Sequence, residues 1–185
     1  GAHLEAIRRN GLTLLKGEEC IVGKVQAAED PRDLDPVGYV LVTLKATGLP
    51  LLAERVAPLL GKDTAVVFAQ NGIPWWYAQG ISSARSRTPG LGALDPGGKL
   101  ARAIAPQRVI GSGVYSANEV VEPGVVRNDA PQRNVLVLGG PDDKPTGRVR
   151  RLAAALEKSS IDAPIETDIR PSFSELEEAC RASRG

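Results

Sequence analysis

Across 185 residues there is one histidine, His3, and the two cysteines, Cys20 and Cys180, lie far apart. With a single imidazole and no Cys-x-x-Cys spacing, a zinc site or a Ser-His-Asp nucleophile has almost nothing to be built from. His3 reads as a surface residue. No apolar run is long enough to span a bilayer, and the opening GAHLEAIRRN lacks the apolar core of a signal peptide. The default reading is a reduced, cytoplasmic protein with no membrane partner. Neither sign of charge dominates: 23 Lys and Arg stand against 22 Asp and Glu, interspersed, for a net charge of +1. That leaves no basic stripe for nucleic acid. The cluster Arg148, Arg150, Arg151 reads as the solvated face of a helix. A G-x-G-x-x-G turn is also absent. Its nearest approach, Gly111-Ser112-Gly113, runs into strand residues from Tyr115 onward, so it reads as a structural pair of glycines and not as a phosphate cradle.

What is present is enough for a domain with a real core, organised around residues 37–79. Val40 to Leu44 is a short apolar run expected to form a strand buried on both faces. Leu51, Leu52, Val56, Leu59 and Leu60 recur at helical spacing, and Gly61 supplies a stop. Ala65 to Ala69 is a second buried strand. Strand, helix and strand make a right-handed crossover in a parallel sheet, where ligands sit at the carboxyl ends of the strands. Lys45 ends the first strand and Gln70-Asn71-Gly72 ends the second, so the two are expected to face one cleft.

The remainder reads in order. His3 to Asn10 is a helix stopped by Gly11. Leu12 to Leu15 and Cys20 to Ala27 are two strands of a hairpin turned at Lys16-Gly17-Glu18. Asp30 to Pro36 is a polar turn. Gly80 to Gly98, with Ser82, Ser83, Ser86, Arg85 and Arg87, reads as a surface loop, with an anion-binding lid as the weaker alternative. Lys99 to Ala105 is a short helix. Gln107 to Glu122 reads as one long strand bent at Gly111, returning through the Pro123-Gly124 turn as Val125 to Arg127. Asn134 to Leu138 is a strand, Thr146 to Lys158 an amphipathic helix, and Ile161 to Thr167 a last strand. Trp75 and Trp76 read as packing residues, and Glu119 and Glu122 as exposed strand-end charges.

Val42-Thr43-Leu44-Lys45-Ala46 followed by Val66 to Tyr77, VVFAQNGIPWWY, closely resembles the ketopantoate reductase (2-dehydropantoate 2-reductase) family. That family is marked by a strand ending in Lys-Ala and a next strand ending in Gln-Asn-Gly. Pro74-Trp75-Trp76 fits one of its branches, and the resemblance runs from Gly1 to about Phe173. It implies an α/β fold: a Rossmann-like sheet lacking its first strands and glycine-rich turn. Residues 1–167 would be a partial dinucleotide-binding domain. Residues 168–185 would be the start of a helical C-terminal domain, followed by a tail unlike the family. Asp168-Ile169-Arg170 and Phe173 match the family pattern, but Ser174 stands where a Trp is expected.

The implied activity is reduction of ketopantoate to pantoate with NADPH, in coenzyme A biosynthesis, with the choice over NADH and the identity of the 2-keto acid left open. By the resemblance, Asn71 contacts both cofactor and substrate, since a carboxamide offers donor and acceptor together. Lys45 lines the cofactor and substrate cleft, and Ala117 makes a backbone contact to the cofactor. The family's proton-donating Lys falls at Leu176. Unaided, Asn71-Gly72 is an ordinary turn and Lys45 a solvated strand-end charge. A non-catalytic fragment, acting as a structural or interaction module, is the rival reading. In a Rossmann sheet the first strand lies beside the one from Val40 to Leu44; without it this apolar edge is open. A marginally stable chain or a homodimer paired along that edge is the expectation.

Hydride transfer needs a bound cofactor and a proton donor, and loss of a positioned general acid alone costs ~10²–10⁴ in rate. The isolated 185-residue chain is therefore expected to show no ketopantoate-dependent oxidation of NADPH. Turnover at an ordinary enzymatic rate in a spectrophotometric assay would refute this.

Overall fold

The computed structural model describes residues 1–77, 91–141, 146–170 and 173. In chain order the elements are α1 (Ala2–Asn10), β1 (Leu12–Lys16), β2 (Glu19–Gly23), β3 (Val37–Val42), α2 (Leu49–Arg55), β4 (Leu60–Ala69), α3 (Leu91–Leu94), α4 (Lys99–Ala103), β5 (Val109–Tyr115), β6 (Asn118–Glu122), β7 (Val125–Asn128), β8 (Val135–Gly139) and α5 (Gly147–Glu157). They form two compact units, one of Gly1–Leu34 with Tyr115–Asn134 and one of Asp35–Val114 with Val135–Gly185.

The larger unit holds a sheet in the order β3-β4-β5-β8. β3 runs parallel to β4, and β4 parallel to β5, the arrangement expected of a Rossmann-like α/β fold. β4 is its spine: Ala65, Val66, Val67 and Phe68 are all buried, and each of the valine and phenylalanine side chains contributes roughly 1.5–3 kcal/mol when fully removed from water. Successive strand residues point to opposite faces. Ala65 and Val67 pack with Ile110, Leu138 and the Val149, Leu152 and Ala153 stripe of α5. α5 begins at an N-cap, where the Thr146 hydroxyl accepts from the Val149 amide at 3.4 Å. α2 packs against α4, burying Leu49 and Leu100.

Several elements differ from the sequence expectation. The first strand ends at Val42, two residues early, and it is not buried on both faces. Leu41 is 48% exposed, and only Val42 along its length is fully buried. The reason is position, because β3 is the outermost strand of this sheet among the described residues. The helix stops at Arg55 instead of reaching Leu60. Pro58 disfavours helix at Ala57 and has no amide to donate, so Ala57–Leu59 forms a single tight 3₁₀ turn. Gly61 is then not a helix stop but part of β4. Leu60 pairs with Val37 and Ala65 with Tyr39, so residues 61–64 bulge from the ladder. The buried Thr64 hydroxyl closes that bulge, accepting from the Gly61 amide at 2.8 Å and donating to the Val37 carbonyl at 2.5 Å. Arg108 braces it with bonds to the Gly61 and Thr64 carbonyls at 2.8 and 2.9 Å.

The long strand from Gln107 to Glu122 is two strands, β5 and β6, which belong to different sheets. Gly111 is no bend; it sits in the ladder opposite Phe68. The last strand, Ile161 to Thr167, is reduced to two isolated parallel bridges, Val135 with Asp162 and Leu138 with Ile165. Pro164 accepts from the Leu138 amide at 2.8 Å but has no N–H to return.

The smaller unit is a sheet in the order β2-β1-β7-β6. The expected hairpins are both there, β1 with β2 and β6 with β7, though β2 ends at Gly23 and not at Ala27. β1 joins them in parallel with β7. α1 carries His3, which is exposed and accepts the Gly124 amide on Nδ1 at 3.0 Å.

Two contacts in the larger unit have no counterpart in the sequence pattern. Arg170, only 7% exposed, donates to the Tyr77 carbonyl at 3.2 Å and to the Pro141 carbonyl, and pairs with Asp168 at 3.3 Å. It thereby joins the segment after β4 to the segment after β8. The second is the seat of Trp76. Its ring lies against the bare Cα of Gly111, where a Cβ would come within 2.4 Å of Cζ2 and 2.5 Å of Cη2.

Gly111→Ala is therefore expected to destabilise the fold by about 1–3 kcal/mol through overpacking. Adding Trp76→Leu to it should cost less than the sum of the two single changes, because both act on one contact. Denaturant midpoints of the four proteins decide this; strictly additive losses would show that the contact is not the cause.

Candidate functional site

The carboxyl ends of β3 and β4 open onto a cleft of about 410 Å³ lined by residues 43–46 after β3, residues 69–74 at the end of β4, and Leu49, Leu94 and Val114. The ladder ends at the Val42–Phe68 pair, and both chains leave the sheet there into turns that carry polar groups. Lys45 and Asn71, singled out as strand-end residues, line this same cleft. Lys45 is the only charged residue lining it among those described. Among the described residues no carboxylate pairs with the Lys45 ammonium, and the Asn71 carboxamide has no hydrogen-bond partner. Both side chains are exposed and available to a ligand.

Local chemistry explains both turns. After β3, Lys45 is extended (φ −66°, ψ 156°) and starts a 3₁₀ turn over Ala46–Gly48, its carbonyl accepting from the Gly48 amide at 2.8 Å. After β4 the chain bends at Asn71-Gly72, with Gly72 at φ +93°, a conformation an L side chain rarely adopts. The segment is then pinned from below. Trp75 meets Phe68 edge-on with centroids 5.6 Å apart, and Trp76 meets Phe173 likewise at 5.6 Å. Trp76 is fully buried, so both tryptophans act as packing residues, as expected.

Between the two turns lies a bond that strand-end reading did not anticipate: the Gln70 Nε2 donates to the Leu44 carbonyl. In the sequence Gln70 stands only as part of Gln-Asn-Gly, and nothing in that tripeptide says which carbonyl its amide reaches.

Apart from Thr43, the rest of the described wall is apolar, chiefly Leu44, Leu49, Ile73, Pro74, Leu94 and Val114. A largely apolar cleft with one cation and two neutral carboxamides suits a ligand with a flat or apolar body and an anionic group. No group of His, Cys, Asp and Glu among the described residues could hold a metal ion.

Ala117 belongs to the smaller unit. It is exposed between β5 and β6, and its carbonyl accepts from the Asp129 amide at 2.9 Å. A polar cluster beside it was not foreseen. The Asn128 amide donates to the side-chain oxygens of Asn118 and Asn134 at 2.8 and 2.7 Å, and the Ser116 hydroxyl donates to Asn134 at 2.7 Å. Asn128, at the end of β7, is buried. Leu176, Ser174, Cys180 and the segment 78–90, with its serines and arginines, lie outside the described residues. Among the described residues no helix is long and apolar enough to cross a membrane.

Residues 1–75 match the family profile described as ketopantoate reductase PanE/ApbA. A 2-dehydropantoate 2-reductase of Mesorhizobium japonicum is 44% identical over 170 residues, covering 92% of this chain and 51% of that protein. A crystal structure assigned as a ketopantoate reductase, from Ralstonia solanacearum MolK2, superimposes with a TM-score of 0.85 at 31% identity, over 94% of this chain and 53% of that one. The 2-dehydropantoate 2-reductase of Geobacter metallireducens shares the fold, with a TM-score of 0.70 at 24% identity, over 91% and 49%. The chain thus spans about half the length of the relatives it matches.

At Gly72 a Cβ would meet no atom within 4 Å, so any cost of substitution there is conformational. Gly72→Ala is expected to lower stability by roughly 1–2 kcal/mol, and Gly72→Asn by less, since Asn tolerates positive φ. Equal midpoints for wild type and Gly72→Ala in denaturant would show that the turn relaxes freely.

Proposed function

Because the chain belongs to the ketopantoate reductase family, we propose that its cleft takes part in reducing a 2-keto acid to the 2-hydroxy acid with a nicotinamide cofactor. The substrate by this reading is ketopantoate, the product pantoate, the cofactor NADPH and the setting cytoplasmic coenzyme A biosynthesis. The observation that carries it is the meeting of Lys45 and Asn71 in one apolar cleft at the carboxyl ends of parallel strands.

The residues suit these ligands. The planar, mostly apolar nicotinamide ring fits walls made by Leu44, Leu49, Ile73 and Pro74, and its carboxamide finds a complementary donor and acceptor in Asn71. When bound, the cofactor supplies the hydride. The protein's part is electrostatic and positional. The Lys45 ammonium neutralises the substrate carboxylate. Asn71 would hold the cofactor amide and the keto acid through its donor and acceptor, restricting their relative motion. The buried tryptophans and the β4 spine hold the backbone at Asn71, which limits where its side chain can reach before substrate arrives. The Ala117 backbone is assigned to the cofactor, and Lys45 and Asn71 to both ligands.

In the natural-length protein, Lys45→Ala and Asn71→Ala should each lower kcat/KM for ketopantoate by roughly 10- to 100-fold, the loss of one hydrogen bond to a charged or reacting group at about 1.5–3 kcal/mol. Lys45→Ala should act mainly on KM, and Asn71→Ala on kcat as well. The assay follows nicotinamide absorbance with NADPH and with NADH. Absence of ketopantoate turnover by the natural-length wild type, or variants equal to it, would overturn the reading.

A further inference from the structure

The ladder between β3 and β4 ends at Val42–Phe68, yet the two chains stay together for two residues more, through the bond from the Gln70 carboxamide to the Leu44 carbonyl. That carbonyl shares a rigid peptide plane with the amide of Lys45. The other side of Lys45 is held by the Gly48 amide on the Lys45 carbonyl, at 2.8 Å. Gln70 in turn immediately precedes Asn71. One side chain therefore bonds to the backbone entering one candidate ligand-binding residue while its own backbone leads into the other. Gln70 is half-buried at the cleft wall, while the Leu44 carbonyl that it reaches belongs to an exposed residue.

We propose that Gln70 is a positioning residue: its amide replaces the next rung of the ladder and sets the separation and orientation of Lys45 and Asn71. This rests on the reading of the cleft given above. A main-chain rung could not do the same work, because both chains must turn away from the sheet at this level to present side chains to the cleft. The carboxamide reaches across the gap after the strands diverge. An isosteric carboxylate would instead place negative charge against a carbonyl oxygen and push the two turns apart. A protonated carboxyl would donate again.

The test uses the natural-length protein, with Gln70→Ala and Gln70→Glu. Both should lower kcat for ketopantoate about 10-fold or more at pH 8, with thermal midpoints near that of wild type. As pH falls from 8 towards 5, the activity of Gln70→Glu relative to wild type at the same pH should climb as its carboxyl protonates. That of Gln70→Ala should stay flat. A residue that merely supports the fold would give flat ratios for both. The second readout needs no turnover: exchange of the Gly48 amide should quicken about 10-fold in Gln70→Ala while the amides of Val66 and Val67 are unchanged. If wild type turns over no ketopantoate, the functional reading fails and the exchange data alone judge the clamp. A Gly48 amide that exchanges at the wild-type rate in Gln70→Ala, or flat pH ratios in an active protein, would overturn the proposal.

Discussion

The turn that carries Asn71 depends on how closely the Trp76 ring can approach the sheet. Its ring carbons sit where the Cβ of any residue but glycine at position 111 would be. That close seat buries a large indole completely and leaves room for Ile169 and Phe173 around it. The chain leaving β4 is thus held by the Ala69–Ser112 rung, by the Gln70 bond to Leu44 and by the two buried tryptophans. Asn71 to Pro74 is the short arc between these holds, bent at Gly72 with its positive φ. Arg170 secures the far end of the same segment through the Tyr77 carbonyl. Its burial is tolerated because its guanidinium meets carbonyls and a carboxylate in place of water.

This anchoring explains how an exposed amide and an exposed ammonium come to line one cleft. Neither Lys45 nor Asn71 is buried, and a long solvated side chain by itself has little preferred direction. Definition comes from the backbone beneath them, which is fixed by the parallel ladder, the 3₁₀ turn after Lys45 and the packed tryptophans. The cleft therefore combines a rigid floor with polar groups that have no partner among the described residues. Under the proposed function such groups would recognise a small anion with an apolar body without first breaking internal bonds.

The places where pattern and structure part share a cause. Helical spacing from Leu51 to Leu60 was genuine, but Pro58 removes a donor and ends the helix, and the leftover leucine enters β4. Alternation from Gln107 to Glu122 continues past Tyr115 because each piece is a strand; hydrogen bonding assigns the two pieces to different sheets. Periodicity records which side of the chain is apolar, and it is blind to which strand lies alongside. The same blindness made β3 look doubly buried. Val40, Leu41 and Val42 have the composition of a central strand, while their exposure follows from lying outermost among the described residues.

By itself the sequence determined the kinds of element and their order: a helix and hairpin, a strand-helix-strand crossover ending in Lys-Ala and Gln-Asn-Gly, a β-hairpin and an amphipathic helix. It also singled out Lys45 and Asn71, because residues that end parallel strands fall at one edge of the sheet whatever the details of packing. Tertiary structure alone decided the rest: that Gly111 seats the Trp76 ring, that Arg170 is buried and bonded to distant carbonyls, that Asn128 gathers Ser116, Asn118 and Asn134, and that Gln70 reaches Leu44 across the cleft. Each of these is a contact between residues far apart in the chain or on different elements. Its energy depends on distances of a few ångströms that no local spacing encodes, so such contacts become visible only when the strands are set side by side.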